Sequence, residues 1–252
     1  LIQIRHYTSK ESFLQFKRSS FKFDKKIVWA IISIGLAPFI LNVCASLVTR
    51  FMNTALLEYG GHGAYDIVSV ANFDGNVGDV YVGAYGIMNR VLLLFIMMAQ
   101  GFNQGMQPIV GYNYGAGHYD RVKTTLKYCV SIATIITTLG CITALIFPNY
   151  IARMFTTDTN LVNITASGLS IYASTFFVVG FHIIVTNYFQ SIGRAGVSIF
   201  LSLSRQILLL IPFILLFPPI WGLTGAWMAQ PVSNIISAAI AIVILSLHLK
   251  KL

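Results

Sequence analysis

Charged side chains are scarce in this sequence, at 10% of its 252 residues, against roughly 25% in water-soluble domains. That scarcity excludes a surface that faces water on all sides. Cysteine is scarce too: Cys44, Cys129 and Cys141 form no CxxC pair and stand near no histidine cluster. A disulfide framework and a zinc site are therefore not expected, and ordinary helix packing is. GxSxG, a glycine-rich phosphate loop ending in GK[ST], HExxH and paired carboxylates inside an apolar stretch are all missing, so no catalytic constellation is in view. No cofactor is expected, and without a phosphate loop any work the chain does must draw on an ion gradient or a partner. The first residue is Leu1, with no initiator methionine and no signal-peptide pattern, which reads as a piece of something longer.

What the sequence has in abundance is apolar side chains, 56% of the total, arranged in long blocks. Each block reaches the about 20 residues needed to cross a hydrocarbon core about 30 Å thick. Barrel strands of about 10 alternating residues do not fit such blocks, so helices are the expected solution. Apolar continuity and helix stops place spans at 27–58, 81–112, 121–147, 161–192, 195–218 and 221–248, an all-α integral membrane bundle of six helices. Residues 1–26 read as a basic cytoplasmic linker and 60–80 as an extended extracellular loop.

Basic residues gather on one side of these spans: in the leader, at Arg121, Lys123 and Lys127, at Arg194 and Arg205 around the fourth junction, and at Lys250 and Lys251. Short cytoplasmic loops collect lysine and arginine, which puts both ends of the chain in the cytoplasm. The net charge of +9 has no nucleic-acid fold signature behind it, and anionic membrane lipid is the expected partner. In the 60–80 loop, Asp66, Asp74 and Asp79 invite a calcium reading. They lack the spacing and closing glutamate of an EF-hand, and a solvated loop is the plainer account.

Polar residues inside the spans carry the functional signal, since a polar group facing lipid is costly and one facing a cavity is not. At 100° per residue, Asn42, Ser46, Thr49 and Asn53 share a face of the first span with Arg50 alongside; Asn89, Gln100, Gln104 and Gln107 share one of the second. In the fourth, Thr175, His182 and Thr186 align with Tyr172 and Gln190 at the flank. Each residue alone reads as interhelical glue, whereas the set reads as the wall of a water-accessible cleft. His182 has two readings, packing residue or proton relay. Arg50 also has two, snorkelling to the interface or recognising charge in the cleft.

The stretch GFNQGMQPIVGYNYGAG, from Gly101 to Gly117, resembles the signature that ends the eighth helix of the multidrug and toxic compound extrusion (MATE) family. Its resembling positions are Gly101, Gln104, Gly105, Gln107, Pro108, Gly111, Tyr112, Asn113, Tyr114 and Gly115, read as a packing face fused to a turn. IGLAPFIL from Ile34, ALLEYGG closing the first span and YFQSIGRAG from Tyr188 extend the likeness across nearly the whole chain, closest to the MepA-like branch.

The resemblance implies the C-terminal six-helix lobe of a twelve-helix transporter in the bacterial cytoplasmic (inner) membrane. It further implies efflux of amphipathic, often cationic drugs in exchange for sodium ions or protons. The implied partners are that cargo, membrane lipid and an N-terminal six-helix lobe. A flippase for a lipid-linked glycan is the alternative within the fold, and a membrane-embedded enzyme or structural subunit the alternative outside it. Relatives with a second-lobe cation site carry carboxylates in the helices matching the first and fourth spans. This sequence has only Glu58, at an outer end, which points the coupling ion to the other lobe.

Overall fold

In lipid each backbone N–H and C=O must be satisfied within its own segment, and the long apolar blocks fold accordingly. The structure is a computed structural model that describes residues 25–60 and 77–250. The basic linker before Lys25 and most of the 60–80 loop, with Asp66 and Asp74, lie outside the described residues. Two units divide the chain, Leu1–Ile40 and Leu41–Leu252. The described part of the first is the opening stretch of α1 (Lys25–Tyr59).

The second unit holds the rest of α1 and then α2 (Val77–Gly115), α3 (Tyr119–Ile146), α4 (Pro148–Arg153), α5 (Thr159–Tyr172), α6 (Phe177–Ser191) and α7 (Ala195–Leu203). A π-helical segment (Ser204–Leu210), α8 (Ile211–Leu216) and α9 (Pro218–Leu249) complete it. Among the described residues, four helical stretches are long and apolar enough to cross a membrane: α2, α3, α7 through α8, and α9. The bent pair α5–α6 makes a fifth. Leu94, Met97, Ile135, Leu139 and Ile242 are exposed on these helices, as expected where lipid is the solvent.

The stretch 161–192 was expected to run unbroken. Instead α5 and α6 meet at 56° across Ala173–Phe176. No proline or glycine marks the break. What sustains it is α3, whose side chains reach the carbonyls that the break exposes. The Thr137 hydroxyl lies 3.1 Å from the Phe177 carbonyl, and the Cys141 thiol 3.1 Å from the Ala173 carbonyl. Gly180 lets the two helices close: a Cβ there would meet the Ala133 carbonyl and, at 2.6 Å, the Thr137 hydroxyl.

The turn after α2 is equally legible in physical terms. Gly117 takes φ +76°, open to glycine at no steric cost. The His118 N–H donates to the Asn113 carbonyl at 2.9 Å and the Gly117 N–H to that of Tyr114 at 3.2 Å, the two bonds of a Schellman cap. Gly193 closes α6 the same way, with the Arg194 N–H donating to the Phe189 carbonyl at 2.9 Å.

Two apolar cores fill the second unit, one at each end of the bundle. On α2 the first runs up to Leu92 and the second begins at Ala99; on α9 the first ends at Ala229 and the second begins at Ala241. Between them, along the same helices, lie Gln230, Ser233, Asn234 and Ser237 of α9, and His182 falls at the boundary on α6. The bundle thus carries a polar layer between two apolar ones.

Candidate functional site

The polar layer surrounds Arg205. Counting along the sequence groups this arginine with the basic residues at the junction after the fourth span. The structure corrects that: Arg205 lies in the π segment, halfway along the 22-residue stretch Ala195–Leu216. Ten residues of helix carry a side chain about 15 Å from the end of its span, half a hydrocarbon thickness. A π turn brings an extra residue into the helix and recurs at functional sites. Here the Ile211 N–H reaches back to the Gln206 carbonyl. The Arg205 carbonyl is met by the Ser233 hydroxyl of α9 at 2.9 Å.

Arg205 forms the common wall of two cavities. The first, of about 240 Å³, is lined by Asn89, Arg90, Tyr172, Gln230 and Asn234 together with Leu92, Leu93, Ile96, Phe176 and Val179. The second, of about 230 Å³, is lined by Gln100, His182, Thr186, Asn187, Gln190, Ser198, Ser202 and Gln206. Tyr172 and His182 are both within electrostatic reach of the guanidinium. Every acidic side chain among the described residues sits at a helix end: Glu58, Asp79, Asp120 and Asp158.

The sequence-expected residues distribute unevenly around this layer. Asn89 and Tyr172 line the first cavity, with the Tyr172 hydroxyl 3.4 Å from Asn89 Oδ1. Gln100 and His182 line the second, and Gln100 Oε1 accepts from Asn103 Nδ2 at 3.1 Å. Thr175 is buried behind the first cavity, where Asn234 Nδ2 approaches its hydroxyl at 3.4 Å. Gln107 faces Asn187 at 3.5 Å, and Gln104 is exposed.

On α1, Asn42, Ser46 and Arg50 are exposed and Asn53 is half-buried; none of the four lines either cavity. The Ser46 hydroxyl bonds the Asn42 carbonyl of its own helix at 3.0 Å. At His182 the charged neighbour is a guanidinium rather than a carboxylate, and the Thr186 hydroxyl and the Gln206 amide line the same cavity.

The first half of the signature segment faces outward from this lobe. Gly101 and Gly105 are exposed, and a Cβ at either meets nothing within 4 Å. With Met98, Phe102, Met106, Ile109 and Cys129 they border an open depression of about 400 Å³. The second half of the segment does form the turn, through the carbonyls of Asn113 and Tyr114 and the Gly117 cap.

Residues that sequence reasoning missed are Arg205, Gln206, Gln230 and Asn234. Helical periodicity does mark the last two: Gln230, Ser233, Asn234 and Ser237 fall within one arc at 100° per residue.

A polar layer enclosed between apolar ones in a multi-pass membrane bundle is an arrangement that transport proteins use. A sequence model of the MatE family, described as MatE, matches residues 64–216, more than half of the chain, and the chain belongs to that family.

The multidrug export protein MepA of Staphylococcus haemolyticus is 23% identical over 244 residues, covering 97% of this chain and 50% of that protein. A FAD transporter of Shewanella oneidensis is 24% identical over 155 residues, 62% of this chain and 34% of its own length. Among solved structures, the MATE multidrug transporter DinF-BH, in a ligand-bound form, superimposes with a TM-score of 0.76 at 31% identity, covering 97% of this chain and 51% of that one. The chain spans about half the length of the curated multidrug exporters it matches, which fits one lobe of a twelve-helix transporter. These relatives are transporters rather than enzymes, and they give no support to the glycan-flippase alternative.

Proposed function

We propose that this chain is the C-terminal lobe of a secondary exporter that expels amphipathic compounds in exchange for sodium ions or protons. The carrying observation is the polar layer: two cavities meeting at Arg205, enclosed between apolar cores in a chain of the MatE family. Alternating access by rocking of two lobes needs a wet, shaped wall at mid-depth, and this layer supplies one. The multidrug exporters and the FAD transporter it resembles favour an organic cargo over an inorganic ion.

The coupling ion is assigned to the other lobe, because the carboxylates of the described spans all lie at helix ends. Both ends of the chain are assigned to the cytoplasmic side of a bacterial inner membrane, from Arg121, Lys123, Lys127, Arg194 and Lys250. The cleft wall is assigned to Asn89, Gln100, Tyr172 and His182.

The test is expression, in a cell lacking its own exporters, of the polypeptide as the cell makes it. Lower dye accumulation and raised drug tolerance are expected. Unchanged accumulation despite normal membrane insertion would count against the reading.

A further inference from the structure

We infer that the mid-span arginine is a binding site for an anion, and that the cargo includes amphipathic molecules bearing a carboxylate or phosphate. This deepens the proposed export reading and rests on it.

The second cavity holds an unusual concentration of unmet polar atoms. Arg205 Nε, His182 Nε2, Thr186 Oγ1 and Gln206 Oε1 are all buried without a hydrogen-bond partner among the described residues, and all four residues line it. Each such atom is destabilising while unmet, so a cavity that collects four is built to be filled. Two of the four are donors as they stand, a guanidinium N–H and a hydroxyl. Rotation of the Gln206 amide presents its NH2 in place of its oxygen. A guanidinium with neighbouring donors matches the oxygens of a carboxylate or phosphate.

Balance of charge points the same way. An arginine at mid-depth needs a counter-charge, and the described acidic residues all sit at helix ends. The first cavity, sharing Arg205, adds Arg90 rather than an acid. Its Leu93, Ile96 and Phe176 wall suits the apolar body of the same molecule. One ligand lying across Arg205 would place its anionic group against His182 and Thr186 and its apolar part against Phe176.

Fluorescein and rhodamine 6G share a ring skeleton and differ in charge, so they separate charge from shape. Their binding to the purified transporter, in detergent free of anionic lipid, is read by fluorescence polarisation, and their export by efflux from proteoliposomes. Wild-type protein is expected to bind fluorescein. Arg205→Gln should weaken that binding by roughly tenfold to a hundredfold, the effect of losing one charge-assisted hydrogen bond, with rhodamine 6G affected far less. Arg205→Lys should restore part of the loss, and Thr186→Val should weaken fluorescein selectively.

Equal weakening of both dyes by Arg205→Gln and Thr186→Val would make the arginine structural and overturn the inference. So would displacement of fluorescein by phosphatidylglycerol but not by free phosphate or a soluble carboxylate, which would make the site a lipid-headgroup site. Export of rhodamine 6G without binding of fluorescein would sink the anion site alone and leave the export reading standing. Arg205-dependent fluorescein binding with export of neither dye would do the reverse.

Discussion

The Ser233 hydroxyl donates to the backbone carbonyl of Arg205 at 2.9 Å. A π turn loosens the helical ladder, and this one crosses the bundle beside α9. The fully buried Ser233 thereby ties the segment bearing Arg205 to the last helix, and the direction of the guanidinium depends on that tie.

Ser233→Ala should therefore act at a distance from the cavities it does not line. The unmet carbonyl costs about 1–3 kcal/mol, expected as a lowered unfolding temperature in detergent. Dye binding should weaken as well, because Arg205 loses its fixed register. An unchanged unfolding temperature together with unchanged binding would show that the π segment holds itself.

Thr137 carries a comparable task at the α5–α6 break, its one hydroxyl proton shared between the Phe177 carbonyl at 3.1 Å and the Ala133 carbonyl of its own helix at 3.0 Å. Thr137→Val keeps the shape and removes the hydroxyl, at an expected cost of about 1 kcal/mol. Hydrogen exchange should speed up first at the start of α6. Exchange that rises evenly over the whole bundle would argue against a local role.

Two glycine substitutions should separate packing inside the lobe from the exposed signature. Gly180→Ala drives a methyl into the Ala133 carbonyl and the Thr137 hydroxyl; overpacking of this kind costs about 1–3 kcal/mol. Gly105→Ala meets nothing within 4 Å and should hold or slightly raise the unfolding temperature, because alanine is favoured over glycine inside a helix. The reverse order of stabilities would contradict the α3–α6 contact.

Much of this is legible in residue order. The apolar blocks mark α2, α3 and α9, and Gly117 and Gly193 mark the turns, because those signals are local. Asn89, Gln100 and His182 follow from helical periodicity alone. The α5–α6 break does not, since Ala173–Phe176 contains neither proline nor glycine and the break is held by Thr137 and Cys141 of another helix. Arg205 is misplaced by its sequence neighbourhood for a related reason. Basic residues usually mark loops, and only the third dimension shows that Arg205 reaches two cavities while Ser233 meets its carbonyl. The signature glycines Gly101 and Gly105 read as a packing face, and that face is exposed among the described residues.

Cysteines at Gln100, Gln104 and Gln107, in a protein whose Cys44, Cys129 and Cys141 are replaced, should react with a water-soluble thiol reagent. Gln100 lines the Arg205 cavity, so bound cargo should protect that position and leave Gln104 reactive. Resistance at all three positions in every conformation would remove α2 from the cleft.

Gradient-driven export through this layer is tested by dye movement in proteoliposomes under imposed sodium or proton gradients. Uphill transport that begins with one gradient and stops when it is collapsed is the predicted result. Dye movement indifferent to both gradients, or none at all from correctly inserted protein, would contradict it.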